Sequence, residues 1–152
     1  MRHPMMSVLE QNPVLPAVKD AGRLEACLAQ PAGVVFLLCG DILNIDRLID
    51  RVHQAGKYAV VHADLVAGLA PREIAVDFLH RCGADGRETE GGMPDVIEIL
   101  PGTLCKVLRR LSRELPVPLI AGGLLSDKAD VLAALGAGAL CVSASDESLW
   151  AL

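Results

Sequence analysis

Short unbroken apolar runs alternate along this chain with stretches whose apolar residues recur at helical spacing. The run from Pro13 to Val18 contains two prolines, which suits a strand entered at its end rather than a regular central ladder. Ala21 to Gln30 then places Leu24, Cys27 and Leu28 on one helix face. Gly33 to Leu38 is apolar throughout, as in a strand buried on both faces. Asn44 or Asp46 caps a helix carrying Ile45, Leu48, Ile49 and Val52 inward, and Gly56 ends it. Tyr58 to His62 predicts a third strand, and Pro71 suits the first turn of a helix reaching about Cys82. The rhythm returns with a strand over Asp95 to Ile99, a loop over Leu100 to Gly102, and a helix over Thr103 to Glu114. Val117 to Ala121 breaks into Gly122-Gly123 ahead of a helix over Asp127 to Leu135, and Gly138 to Val142 is the last strand. Residues 1–12 read as a short N-terminal arm. No hairpin signal interrupts the alternation, so the class is α/β with a parallel sheet.

The count of units is short. Six strand-helix units are legible, whereas a closed (β/α)₈ barrel needs eight. Gly83 to Gly86 reads as a loop leading into a strand, yet it meets the polar stretch Arg87 to Gly92 instead. Roughly two βα units, on the order of 40 residues, are therefore expected to be missing between Gly86 and Arg87. They are either deleted from this protein or omitted from its numbering. Adjacent Cα atoms about 3.8 Å apart would indicate an intact peptide bond there.

Composition adds a domain count and a compartment. The 152 residues suffice for one domain with a core of Leu, Val, Ala and Ile. The apolar runs are too short to span a bilayer, and the start lacks the apolar core of a signal peptide, so the expectation is a cytoplasmic protein without a membrane partner. The cysteines at 27, 39, 82, 105 and 141 form no Cys-x-x-Cys pair, which points to free thiols rather than zinc or disulfides. A formal charge of −5 gives no basic footprint. Lys106, Arg109, Arg110 and Arg113 share one helix and read as a solvated face.

Chemistry is expected at the carboxyl ends of the strands. Those ends carry Lys19 and Asp20, Asp41, His62 and Asp64, Glu98, Gly122-Gly123, and Ser143 with Ser145. Gly-Gly after one strand and hydroxyl residues after the next are the makings of a phosphate cradle, because glycine lets the backbone approach an anion closely. His62 and Asp64 lie two residues apart, and in extended backbone they point to one side. Glu98 stands between Ile97 and Ile99; if those pack against helices, its carboxylate faces the interior, where it needs donors. Two uses fit these groups. One is acid/base catalysis on a small phosphorylated substrate by Asp64 and Glu98, as in an aldolase, isomerase or synthase. The other is binding without turnover. No catalytic triad, phosphate-binding Walker loop, metal signature or cofactor motif is present in the sequence.

Taken together, Pro13 to Val18, the stretch Val61 to Leu69, the stretch Asp95 to Gly102, and Ile120 to Leu124 resemble the glycerol uptake operon antiterminator family. Ala134 to Ser145 is similar to that family's last strand. The resemblance covers nearly the whole chain in order. It implies a TIM-like barrel that senses glycerol 3-phosphate and regulates glycerol-utilisation genes by binding leader mRNA and preventing termination. It also implies that His62, Asp64, Glu98 and Gly102 surround the glycerol end of the ligand, while Gly122, Gly123, Ser143 and Ser145 hold the phosphate. No catalytic residue, cofactor or metal is implied. The family carries further sequence after the position of Gly86, which this chain lacks. The apolar tail Leu149 to Leu152 suits either a homodimer contact or a cap on the barrel.

Overall fold

Alternation within each apolar run decides which side chains line the sheet and which pack under its helices. The computed structural model describes residues 4–68, 79, 81–85 and 95–152. Its strands are β1 (Val14–Val18), β2 (Val34–Leu37), β3 (Tyr58–Val61), β4 (Ile97–Ile99), β5 (Leu119–Gly122) and β6 (Cys141–Ala144). The helices are α1 (Met5–Gln11), α2 (Leu24–Leu28), α3 (Ile45–Gln54), α4 (Cys105–Glu114) and α5 (Lys128–Gly136). On the outer face Val35, Leu37 and Ala59 pack with Ile45, Ile49 and Val52 of α3. Leu119, Ala121 and Val142 pack with Leu108 of α4 and with Val131 and Ala134 of α5. On the inner face Leu15, Ala17, Val34, Phe36, Ile120 and Cys141 meet one another. Burying one such aliphatic side chain completely is worth about 1.5–3 kcal/mol, so both faces hold the sheet in register.

The six strands form one parallel sheet in the order β3-β2-β1-β6-β5-β4. This is a TIM-like wall, but the described strands do not close into the eight-stranded barrel expected from the sequence. The sheet ends at β3 and β4, the two strands that flank the break in the sequence pattern. Beside β3, Asp85 takes both backbone groups of Ala59. Its N–H donates to the Ala59 carbonyl at 2.9 Å, and its Oδ2 accepts the Ala59 N–H at 2.7 Å. The same carboxylate contacts His53 Nε2 at 2.8 Å. Gly86 and Arg87, the site of the expected gap, lie outside the described residues, as does most of the helix expected from Pro71.

Two elements differ from the sequence reading. The expected arm is instead a seven-residue helix, α1, with Met5, Met6 and Leu9 buried against the inner face near the amino ends of the strands. Seven residues are too few to display a helical period, and the surface that buries them exists only once the sheet has formed. The last strand runs to Ala144 rather than Val142, because Ser143 pairs with Leu15 and Gly122 despite its polar side chain. The C-terminal tail caps the chain's own core. Leu149 and Trp150 are buried, and Trp150 Nε1–H donates to the Ala144 carbonyl at 2.7 Å. Among the described residues no helix is long and apolar enough to cross a membrane.

All five cysteines are free thiols. Burial pushes Cys27 and Cys141 up to about 12, with nearby charges as smaller influences. Titration of the native protein with a thiol reagent at pH 8 is expected to leave these two unmodified until denaturant is added. The unfolded chain loses their protons near the ordinary thiol value of about 8.5 while the folded chain retains them, so they make stability fall as pH rises above that point. A urea titration at pH 8 and pH 10 reads this directly, with the lower midpoint expected at pH 10.

Candidate functional site

Glu98 stands at the centre of the site. Its neighbours Ile97 and Ile99 pack into the outer core beneath α4, so the alternation of β4 turns Glu98 inward. There its Oε1 accepts the hydroxyl proton of Ser143 at 2.5 Å, across the breadth of β5. Between them lies Gly122. A Cβ built there would stand 2.2 Å from Glu98 Oε1 and 2.5 Å from Ser143 Oγ. Only a residue without a side chain permits this contact. The first of the paired glycines therefore makes room for a carboxylate, a role its sequence context alone does not reveal.

Past β5 the backbone turns through two left-handed residues, Gly123 at φ 74° and Leu124 at φ 59°. Leu124 is a non-glycine residue in a region costly for side chains, and it is 77% exposed. Ser126 and Asp127 then start α5. Asp127 accepts the Asp130 N–H at 2.8 Å, and Asp130 accepts both the backbone N–H and the hydroxyl of Ser126. Those Ser126 donors, led by the backbone one, hold the Asp130 carboxyl below its ordinary value. The loop after β4 leans on the same turn. Its Leu100–Pro101 peptide is cis, and Gly102 donates its N–H to the carbonyls of Gly122 and Gly123 at 2.5 and 3.0 Å.

A cavity of about 180 Å³ opens where the strands end. His62, Glu98, Gly123, Ser143 and Ser145 border it, so five of the eight sequence candidates converge. Gly122 lies beneath Glu98, not on the lining. Gly102 is buried with its N–H committed to β5, and Asp64 sits exposed on the turn Ala63–Leu65 outside the lining. His62 thus lines this cavity and Asp64 does not. Asp41 is likewise occupied locally, accepting the N–H of Leu43 at 2.8 Å. Lys19, a strand-end residue left out of the candidate set, lines the cavity too. Its signal lay in its position immediately after β1, the neighbour of β6. Leu65, Leu100 and Leu124, each at least half exposed, frame the mouth. Among the described residues no group of three or more His, Cys, Asp or Glu side chains is gathered to hold a metal ion.

Comparison with known sequences decides the family. The family model described as glycerol-3-phosphate responsive antiterminator matches residues 14–89 and 87–150. The chain belongs to this family. The uncharacterized protein YgcP of Escherichia coli K12 is 30% identical, the match covering 98% of this chain and 97% of that one. Among solved structures, a glycerol uptake operon antiterminator regulatory protein from Listeria monocytogenes shares the fold at TM-score 0.81. It is 22% identical, with 99% of this chain and 98% of that chain covered. A glycerol uptake operon antiterminator-related protein from Thermotoga maritima is 26% identical at TM-score 0.74, covering 91% and 98%. The family match comes in two pieces that meet at 87–89, and the alignment with YgcP runs over 185 residues against the 152 of this antiterminator-family chain. The interruption falls where the sequence pattern breaks and where, between β3 and β4, the described strands leave the sheet open.

Proposed function

We propose that this chain senses glycerol 3-phosphate and regulates glycerol-utilisation genes by antitermination on leader mRNA. The observation that carries the ligand half of this reading is the Glu98–Ser143 pair. It presents a carboxylate oriented by a hydroxyl at the floor of a strand-end cavity, beside the Gly123 turn and Ser145. A carboxylate accepts hydrogen bonds from polyol hydroxyls, and His62, just after the opposite edge strand β3, adds a second polar group to the same cavity. The glycine turn and Ser145 suit the phosphate end of such a molecule. Family membership supports the regulatory half. The mRNA step draws its support from the family alone, since the chain is acidic.

A second reading, turnover of a small phosphorylated substrate, is favoured by Glu98 sharing one cavity with Lys19 and His62, groups able to move protons. Calorimetric titration with glycerol 3-phosphate, followed by analysis of the recovered ligand, separates the two. Saturable heat with unchanged ligand is the expected result. A converted ligand would establish the enzyme, and the absence of binding would contradict both readings.

A further inference from the structure

The cavity contains one cationic side chain among the described residues, and it has no partner there. Lys19 follows directly on β1 and lines the cavity, yet it makes no hydrogen bond or ion pair with any described residue. We infer that Lys19 is the countercharge for the ligand's phosphate and that Ser143 serves Glu98 instead of the phosphate. This inference rests on reading the cavity as a site for a phosphorylated ligand.

Two observations lead to it. First, a hydroxyl has one proton to give, and Ser143 gives it to Glu98 at 2.5 Å. The Glu98 carboxylate lies over Gly122 with its Oε1 against Ser143 Oγ. The inner half of the expected phosphate cradle is therefore already filled by negative charge, which repels a phosphate through a poorly screened interior. Second, what remains for an anion lies further out: the Gly123 turn, Ser145 and Lys19, all on the lining. β1 and β6 are adjacent with Pro16 opposite Ala144, so Ser145 comes level with Ala17, two residues before Lys19, and all three line the cavity. The site thus divides. Glu98, held by Ser143, takes hydroxyl groups, and Lys19 with Ser145 and Gly123 takes the phosphate. Charge recognition comes from the end of β1, two strands away from the glycine pair that first suggests it.

The test compares inorganic phosphate with glycerol 3-phosphate as probes, by calorimetry on the full chain. Lys19→Met is expected to weaken both by about tenfold or more, the scale of a charge-assisted hydrogen bond, and to flatten the salt dependence of binding. Lys19→Arg is expected to restore most of the affinity, and Lys128→Met, the same charge change on exposed α5, to leave it as in the native protein. Ser143→Ala is expected to weaken glycerol 3-phosphate more than inorganic phosphate. Native affinity in Lys19→Met, an equal loss in Lys128→Met, or a larger loss of phosphate than of glycerol 3-phosphate in Ser143→Ala would each overturn the assignment. If the native chain binds inorganic phosphate through Lys19 but ignores glycerol 3-phosphate, the assignment stands and the choice of ligand falls. If it binds neither, both fall.

Discussion

Gly122→Ala is expected to lower the affinity for glycerol 3-phosphate by more than about tenfold while the protein stays folded, because a precisely oriented acceptor is lost rather than a core contact. The new Cβ would arrive 2.2 Å from Glu98 Oε1 and 2.9 Å from Glu98 Cδ, distances no packed atoms tolerate. Glu98 is the mobile partner in this clash, since its side chain is long and reaches toward an open cavity. The strand backbone, paired on both sides with β4 and β6, is not. The expected response is rotation of Glu98 away from Ser143, at a stability cost of about 1–3 kcal/mol typical of overpacking. Calorimetry and thermal unfolding on the same preparation separate the two effects. Lost binding together with a large loss of stability would mean that the substitution deforms β5 itself.

The largest effect on stability is expected at Trp150. Trp150 is 4% exposed and sits in the outer core with Val18, Leu24 and Leu37. Its indole N–H is also given to the Ala144 carbonyl. Trp150→Ala removes the packing and the hydrogen bond together and is expected to cost about 3–5 kcal/mol. For a chain of this size that lowers the midpoint of thermal unfolding by roughly 8–15 °C. Trp150→Phe keeps most of the ring volume and forfeits chiefly the hydrogen bond, so a loss of about 1–2 kcal/mol is expected. A fall of only a few degrees in Trp150→Ala would mean that the tail contributes little to the core. Because Ala144 lies between Ser143 and Ser145, both variants should also loosen the site, with Trp150→Ala doing so more.

The parallel α/β class, the six strands and the helices over Ala21 to Gln30, Ile45 to Gln54 and Cys105 to Glu114 were legible because each carries a period the fold must respect. A strand buried on both faces has to be apolar throughout, as Val34 to Leu37 is, and a surface helix has to be striped. The break near Gly86 was legible for the same reason: a loop signal leads into a polar stretch where an apolar run should stand. What escaped the sequence depends on three-dimensional partners. Met6 and Leu9 are buried by an inner face assembled from four other segments, so no local pattern could announce α1. Ser143 read as a loop residue because serine rarely lies within a buried strand, and only the Glu98 side chain two strands away explains its place there. Lys19 was one of several polar residues at strand ends, and nothing in its neighbours distinguished it from Asp20 or Asp41. It stands out only once the strand order puts β1 beside β6.

The most direct measurement is a crystal structure of the protein with glycerol 3-phosphate. The account predicts the ligand in the strand-end cavity, a hydroxyl on the Glu98 carboxylate with the Ser143 hydrogen bond intact, and the phosphate within hydrogen-bonding distance of Lys19 and Ser145. A phosphate bonded to Ser143 with Glu98 displaced, or a ligand bound away from this cavity, would contradict it.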